Sequence, residues 1–117
     1  MFGPKAYIHS KRFRTNIENI KTHIGDKRLM LVVKANAYGH GIKQICSIIK
    51  EDTNLFLCVF SISEAIELRS YGVMNKILVL SKIESSWLSK AMKLDLSINV
   101  SNMNDLKIIS EFYKKKK

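Results

Sequence analysis

Four short strand-like stretches, each followed by a segment of helical period, constrain this chain more than any other feature. They are Leu29–Val33, Leu55–Phe60, Ile77–Leu80 and Leu96–Val100, and their starts lie 19 to 26 residues apart. Each is short, rich in branched or aromatic residues, and separated from the next by turn residues. Strands that alternate with single helices pair in parallel, because a parallel pair needs a crossover long enough to hold a helix. The stretch Leu55–Phe60 is apolar throughout, which is typical of a sheet covered on both faces. The fold class expected is α/β, built of repeated parallel βα units.

The intervening segments carry helix signals. Ser10 is the expected N-cap of a helix through Ile24, whose Phe13, Ile17, Ile20 and Ile24 share one face, and Gly25 is the expected C-cap. A short extended segment, Ala6-Tyr7-Ile8, precedes it. The next helix is expected from about Ile42 to Lys50, ending in the polar turn Glu51–Asn54. Ser61-Ile62-Ser63-Glu64 is a capping-box pattern, and Gly72 closes the helix that it opens. Ser85 or Ser86 starts a helix presenting Trp87, Leu88 and Met92. Ser101 or Asn102 caps a last one carrying Leu106, Ile109 and Tyr113.

Composition narrows the function classes. The 117 residues carry a net charge of +10, which raises nucleic-acid binding. The lysines are scattered, however. Lys114–Lys117 is the only run, and no basic patch interleaved with aromatics occurs, so no specific nucleic-acid role is expected. No apolar run approaches the roughly 18 residues that span a membrane. The N-terminus has no export signal, so a cytoplasmic location is expected. Cys46 and Cys58 sit in apolar surroundings without metal or disulfide spacing and read as buried free thiols.

The chemistry is concentrated in Val32-Val33-Lys34-Ala35-Asn36-Ala37-Tyr38-Gly39-His40-Gly41. An apolar strand runs straight into a lysine, then through a tight turn into a helix. The C-terminal edge of a parallel sheet is where ligands bind. A lysine there can snorkel to solvent. It can also be a partly desolvated amine able to form a Schiff base with a carbonyl cofactor. Gly39 and Gly41 allow close approach of a phosphate at a helix start.

This ten-residue stretch resembles the pyridoxal-phosphate attachment motif of the alanine racemases. The resemblance extends over residues 4 to 113. It includes an opening helix with an asparagine at Asn16, Ser-Glu-Ala-Ile-Glu-Leu-Arg after the second strand, and Ile-Leu-Val-Leu in the third. Ser81-Lys82 departs from the family, where a glycine usually follows that strand. The resemblance implies a TIM-type (βα)₈ barrel, of about 250 residues when whole. Four of its eight units would be present, with the C-terminal half-barrel and a β-domain absent. It implies that Lys34 carries pyridoxal 5'-phosphate as a Schiff base and serves as one of two acid/base groups, and that Tyr38 binds the cofactor phosphate. It implies interconversion of L- and D-alanine for peptidoglycan, in a homodimer whose partner subunit supplies the second acid/base group. The chain then reads as an N-terminal portion of such a racemase. An inactive cofactor-binding fragment and a basic interaction module are the alternatives. On their own residues, Glu64, Glu67 and Arg69 read as a cap and solvated helix charges, Asn16 as a polar surface residue, and His40 as ordering the turn.

Overall fold

The computed structural model describes residues 3–5 and 7–116. The elements in order are α1 (Ser10–Ile24), β1 (Met30–Val32), a single helical turn α2 (Lys34–Tyr38), α3 (Ile42–Ile49), β2 (Phe56–Val59), α4 (Ile62–Ser70) and β3 (Ile77–Lys82). A 3-10 turn (Ser85–Trp87), α5 (Leu88–Lys93), β4 (Leu96–Asn99) and α6 (Met103–Lys115) complete the chain. The four strands form one sheet in the order β1-β2-β3-β4, and every neighbouring pair is parallel. The order never reverses, so each crossover steps the same way. That is the winding of a (βα)₈ barrel, of which this is four units. A doubly wound sheet would reverse direction at a switch point.

Register decides which face the helices cover. Leu31, Leu57, Ile77 and Leu96 align across the sheet, and Val59, Val79 and Ile98 form the next such row. These side chains pack with Ile45, Ile49, Ala65, Leu68, Leu88 and Ala91 into one core. Side chains alternate along a strand, so Met30, Val32, Cys58, Phe60, Leu78 and Leu80 point the other way. Among the described residues no helix lies over this second face, and Val32 stays 41% and Phe60 56% exposed. Within β2 the expectation of cover on both faces holds for Leu57, Cys58 and Val59, which are buried, and fails at Phe60, just beyond the strand. The second face is the concave side of the sheet, which in a barrel is covered only by the strands opposite.

The caps are partly as expected. Ser61 Oγ accepts from Glu64 N at 3.3 Å, and Glu64 Oε1 accepts from Ser61 N at 2.9 Å, completing the capping box of α4. Asn102 Oδ1 accepts from Asp105 N at 2.8 Å and caps α6. Ser10 does not cap α1. His9 occupies the N-cap and Ser10 is the first helical residue, with no side-chain cap bond. Tyr71, followed by Gly72 at φ 84°, ends α4. Ala6 lies outside the described residues, and Tyr7 and Ile8 form no strand. The apolar stripe of α1 is only partly used, since Ile17 is buried while Ile20 is 44% exposed. Ion pairs from Arg14 to Glu51 and from Lys21 to Asp52 tie α1 to the turn between α3 and β2.

Arg69 departs most from its expected role. It is no solvated helix charge. Half-buried, its guanidinium donates to the carbonyls of Leu94 (2.9 Å), Val73 (2.8 Å), Asn75 (2.8 Å) and Asp95 (3.3 Å). The planar fork of donors suits loop carbonyls that have no strand partner. Burial lowers its pKa, and Asp95 opposes that shift. The buried Asn75 extends the network, donating from Nδ2 to Asp52 O (2.8 Å) and Leu55 O (3.0 Å). Together these bonds close the N-terminal end of the sheet, opposite the end that carries Lys34.

Candidate active site at the end of strand one

Val33 is buried under the helices, and its N–H donates to Cys58 O at 2.9 Å. At Val33 the backbone leaves the strand conformation (φ -120°, ψ 21°), and Lys34 follows as the first residue of α2. Lys34 is half-buried at the C-terminal end of β1. Burial pushes the Cys58 thiol pKa up, and the nearby Lys34 charge pulls it partly back. The lysine amine and this thiol thus share one neighbourhood. Burial also pushes Cys46 up to about 11. Both thiols are free and buried, as expected. No metal-binding group of three His, Cys, Asp or Glu residues occurs among the described residues.

The expected tight turn after Lys34 is a turn of left-handed helix. Ala35, Asn36, Ala37 and Tyr38 all have φ between 53° and 56°. Ala37 N donates to Val33 O at 3.0 Å and Gly39 N to Ala35 O at 3.2 Å. For L-residues this conformation costs roughly 1–2 kcal/mol per residue. Of the four, only Asn36 is of a residue type that visits this region readily. Gly39 (φ 87°) and Gly41 (φ 91°) continue the positive run without a side-chain penalty. The surroundings hold the turn in place. Ala35 N donates to Glu64 Oε2 at 2.7 Å, and Ile42 N donates to Asn36 Oδ1 at 2.8 Å. His40 Nδ1 donates to Ala37 O at 2.8 Å, so His40 orders the loop as its sequence context suggested.

Tyr38 is 61% exposed, and its hydroxyl has no hydrogen-bond partner among the described residues. It borders a cleft of about 500 Å³ shared with His9, Arg12, Asn16 and His40. The structure thus gathers Tyr38, Asn16 and His40 around one opening. Lys34 does not line that cleft. The two candidates are four residues apart on one turn, about 6 Å along its axis.

Glu64 is the residue that sequence reasoning undervalued. Its capping role was legible from Ser61 and Glu64, but its second oxygen also reaches the backbone just after Lys34. A visible signal existed, because the capping box opens directly at the end of the strand that pairs with β1. At the departure Ser81-Lys82, β3 runs on through Lys82, whose Nζ lies 3.2 Å from Asp105 Oδ1.

Residues 8–117 match the family model described as alanine racemase, N-terminal domain. An alanine racemase of Streptococcus pneumoniae (strain Hungary19A-6) is 41% identical over 100 residues, covering 85% of this chain and 27% of that protein. Among solved structures, an alanine racemase of Clostridium difficile 630 superposes with a TM-score of 0.79 at 27% identity, over 91% of this chain and 28% of that one. A histidine racemase from Leuconostoc mesenteroides superposes with a TM-score of 0.75 at 26% identity, over 87% of this chain and 27% of that one. This chain therefore spans little more than a quarter of the length of the relatives that it matches.

Proposed function

The chain belongs to the alanine racemase family, and from that premise we propose that it supplies the cofactor-bearing lysine of a pyridoxal-5'-phosphate-dependent amino-acid racemase. The observation that carries this reading is the position of Lys34. It stands at the C-terminal end of β1, half-buried, where the strand gives way to a left-handed turn. The local residues fit the cofactor. Lys34 makes no ion pair among the described residues. The unengaged hydroxyl of Tyr38 is free to donate to a phosphate.

When bound, the cofactor would withdraw electrons from the amino acid and acidify its Cα proton. Lys34 Nζ would hold the cofactor through its carbonyl carbon. The same atom would take or return a proton on one face of the substrate. Tyr38 Oη anchors the anionic end. Alanine is the substrate that the family implies, with supply of D-alanine for peptidoglycan in the cytoplasm as the role. A homodimer would bring the acid/base group for the other face.

The test is a titration of the chain with pyridoxal 5'-phosphate, followed by the visible absorbance of the protein-bound cofactor. We expect saturable binding that Lys34→Arg abolishes, since a guanidinium stays protonated and cannot act as the nucleophile. Equal, unsaturable absorbance in parent and variant would refute the reading.

A further inference from the structure

We infer that Glu64 is a positioning residue for Lys34, its carboxylate clamping the left-handed turn of β1's exit to the cap of α4. The inference rests on the function proposed for Lys34, but the clamp itself stands on geometry. A capping box needs one carboxylate oxygen. Here Glu64 Oε1 serves that end, accepting from Ser61 N at 2.9 Å and also from Phe60 N at 3.0 Å. Oε2 is left over, and it accepts from Ala35 N at 2.7 Å, from a residue 29 positions earlier in the chain.

Ala35 N belongs to the peptide unit that joins Lys34 to the first left-handed residue. Fixing that unit fixes the last torsion of Lys34 and the first of Ala35, where the strand becomes a left-handed turn. The clamp also stands where the β1–β2 ladder stops. Backbone bonding ends with Val33 N on Cys58 O, and two residues further on Ala35 N and Phe60 N meet on the same carboxylate. Glu64 thus carries the pairing of the two strands beyond the point at which their own groups can meet. The amine of Lys34 extends from the segment so fixed.

Glu64→Gln separates the clamp from the cap. An amide keeps one oxygen for Phe60 and Ser61, but it sets an NH₂ against the Ala35 N–H, donor against donor. Ser61→Ala is the control, because it removes the hydroxyl half of the box and leaves the carboxylate in place. Two readouts are taken on the 117-residue chain. One is amide hydrogen exchange in peptides covering residues 34–41. The other is the fraction of Lys34 trapped by borohydride after incubation with pyridoxal 5'-phosphate. We expect at least tenfold faster exchange across the turn in Glu64→Gln and several-fold less trapping at Lys34, with neither change in Ser61→Ala. Replacing the Ala35 amide by an ester deletes only that N–H. It should reproduce the loss at Lys34, and it decides the matter if Glu64→Gln does not fold. Exchange and trapping in the Gln and ester variants equal to those of Ser61→Ala would overturn the inference. If even the parent traps no cofactor at Lys34, the proposed function fails, while the exchange comparison still decides the clamp.

Discussion

Tyr38 offers its hydroxyl to solvent without a partner among the described residues, so removing that hydroxyl should cost binding and spare the fold. A hydrogen bond to an anion contributes about 1.5–3 kcal/mol when well formed. Tyr38→Phe should therefore weaken pyridoxal 5'-phosphate binding about tenfold or more in a titration, with an unchanged melting temperature. Equal affinity with a lowered melting temperature would make Tyr38 a packing residue instead. Lys34 and Tyr38 stand out in the sequence because they sit inside one contiguous ten-residue motif. Arg69 and Glu64 were not fully legible, for one shared reason. Their decisive partners are backbone groups brought close only by the fold. Arg69 serves the carbonyls of Leu94 and Asp95, and Glu64 the amide of Ala35. A backbone group carries no side-chain signature, so nothing in the sequence marks it as a partner.

At the level of elements, the left-handed turn α2 is the costly piece. Ala35 is exposed, and its φ of 53° allows a substitution to report backbone strain with little change in packing. A β-branched residue is a genuine outlier there. Ala35→Val should destabilise the chain by about 1–2 kcal/mol, whereas Ala35→Gly should be neutral or slightly stabilising, strain relief being offset by chain entropy. Thermal or urea unfolding of the two variants decides this. A valine variant as stable as the glycine variant would mean that the turn is not left-handed in solution. The strands were read to within about two residues at either end because apolar runs between turn residues are a strong signal. The hand of α2 was not, since Ala-Asn-Ala-Tyr contains no glycine to announce a positive φ. The capping box of α4 was legible because both of its members lie in one local pattern. The cap of α1 was misassigned because Ser10 has the right chemistry one residue too late.

The whole molecule is an open, parallel, four-stranded sheet with helices on its convex side. β1 and β4 are its edges, and neither Met30–Val32 nor Leu96–Asn99 contains the proline that would prevent further pairing. The concave face adds exposed Met30 (41%), Val32 (41%) and Phe60 (56%). Unpaired edges beside an apolar face favour association, against which the net charge of +10 acts. We expect the 117-residue chain at micromolar concentration to self-associate or to be only partly folded. Light scattering after size exclusion, with near-UV circular dichroism on Trp87, checks this, and a compact, cooperatively melting monomer would refute it. The fold class was legible because regular spacing of strands and helices admits few topologies. The open concave face was not, because the apolar run 55–60 looks the same whether a strand is covered by helices or by other strands. The central claim is that one lysine of sixteen is set apart by its place at the end of β1. The most direct measurement is borohydride reduction after incubation with pyridoxal 5'-phosphate, followed by peptide mapping. The account predicts reduced cofactor concentrated on Lys34, and reduced cofactor spread evenly over the surface lysines would contradict it.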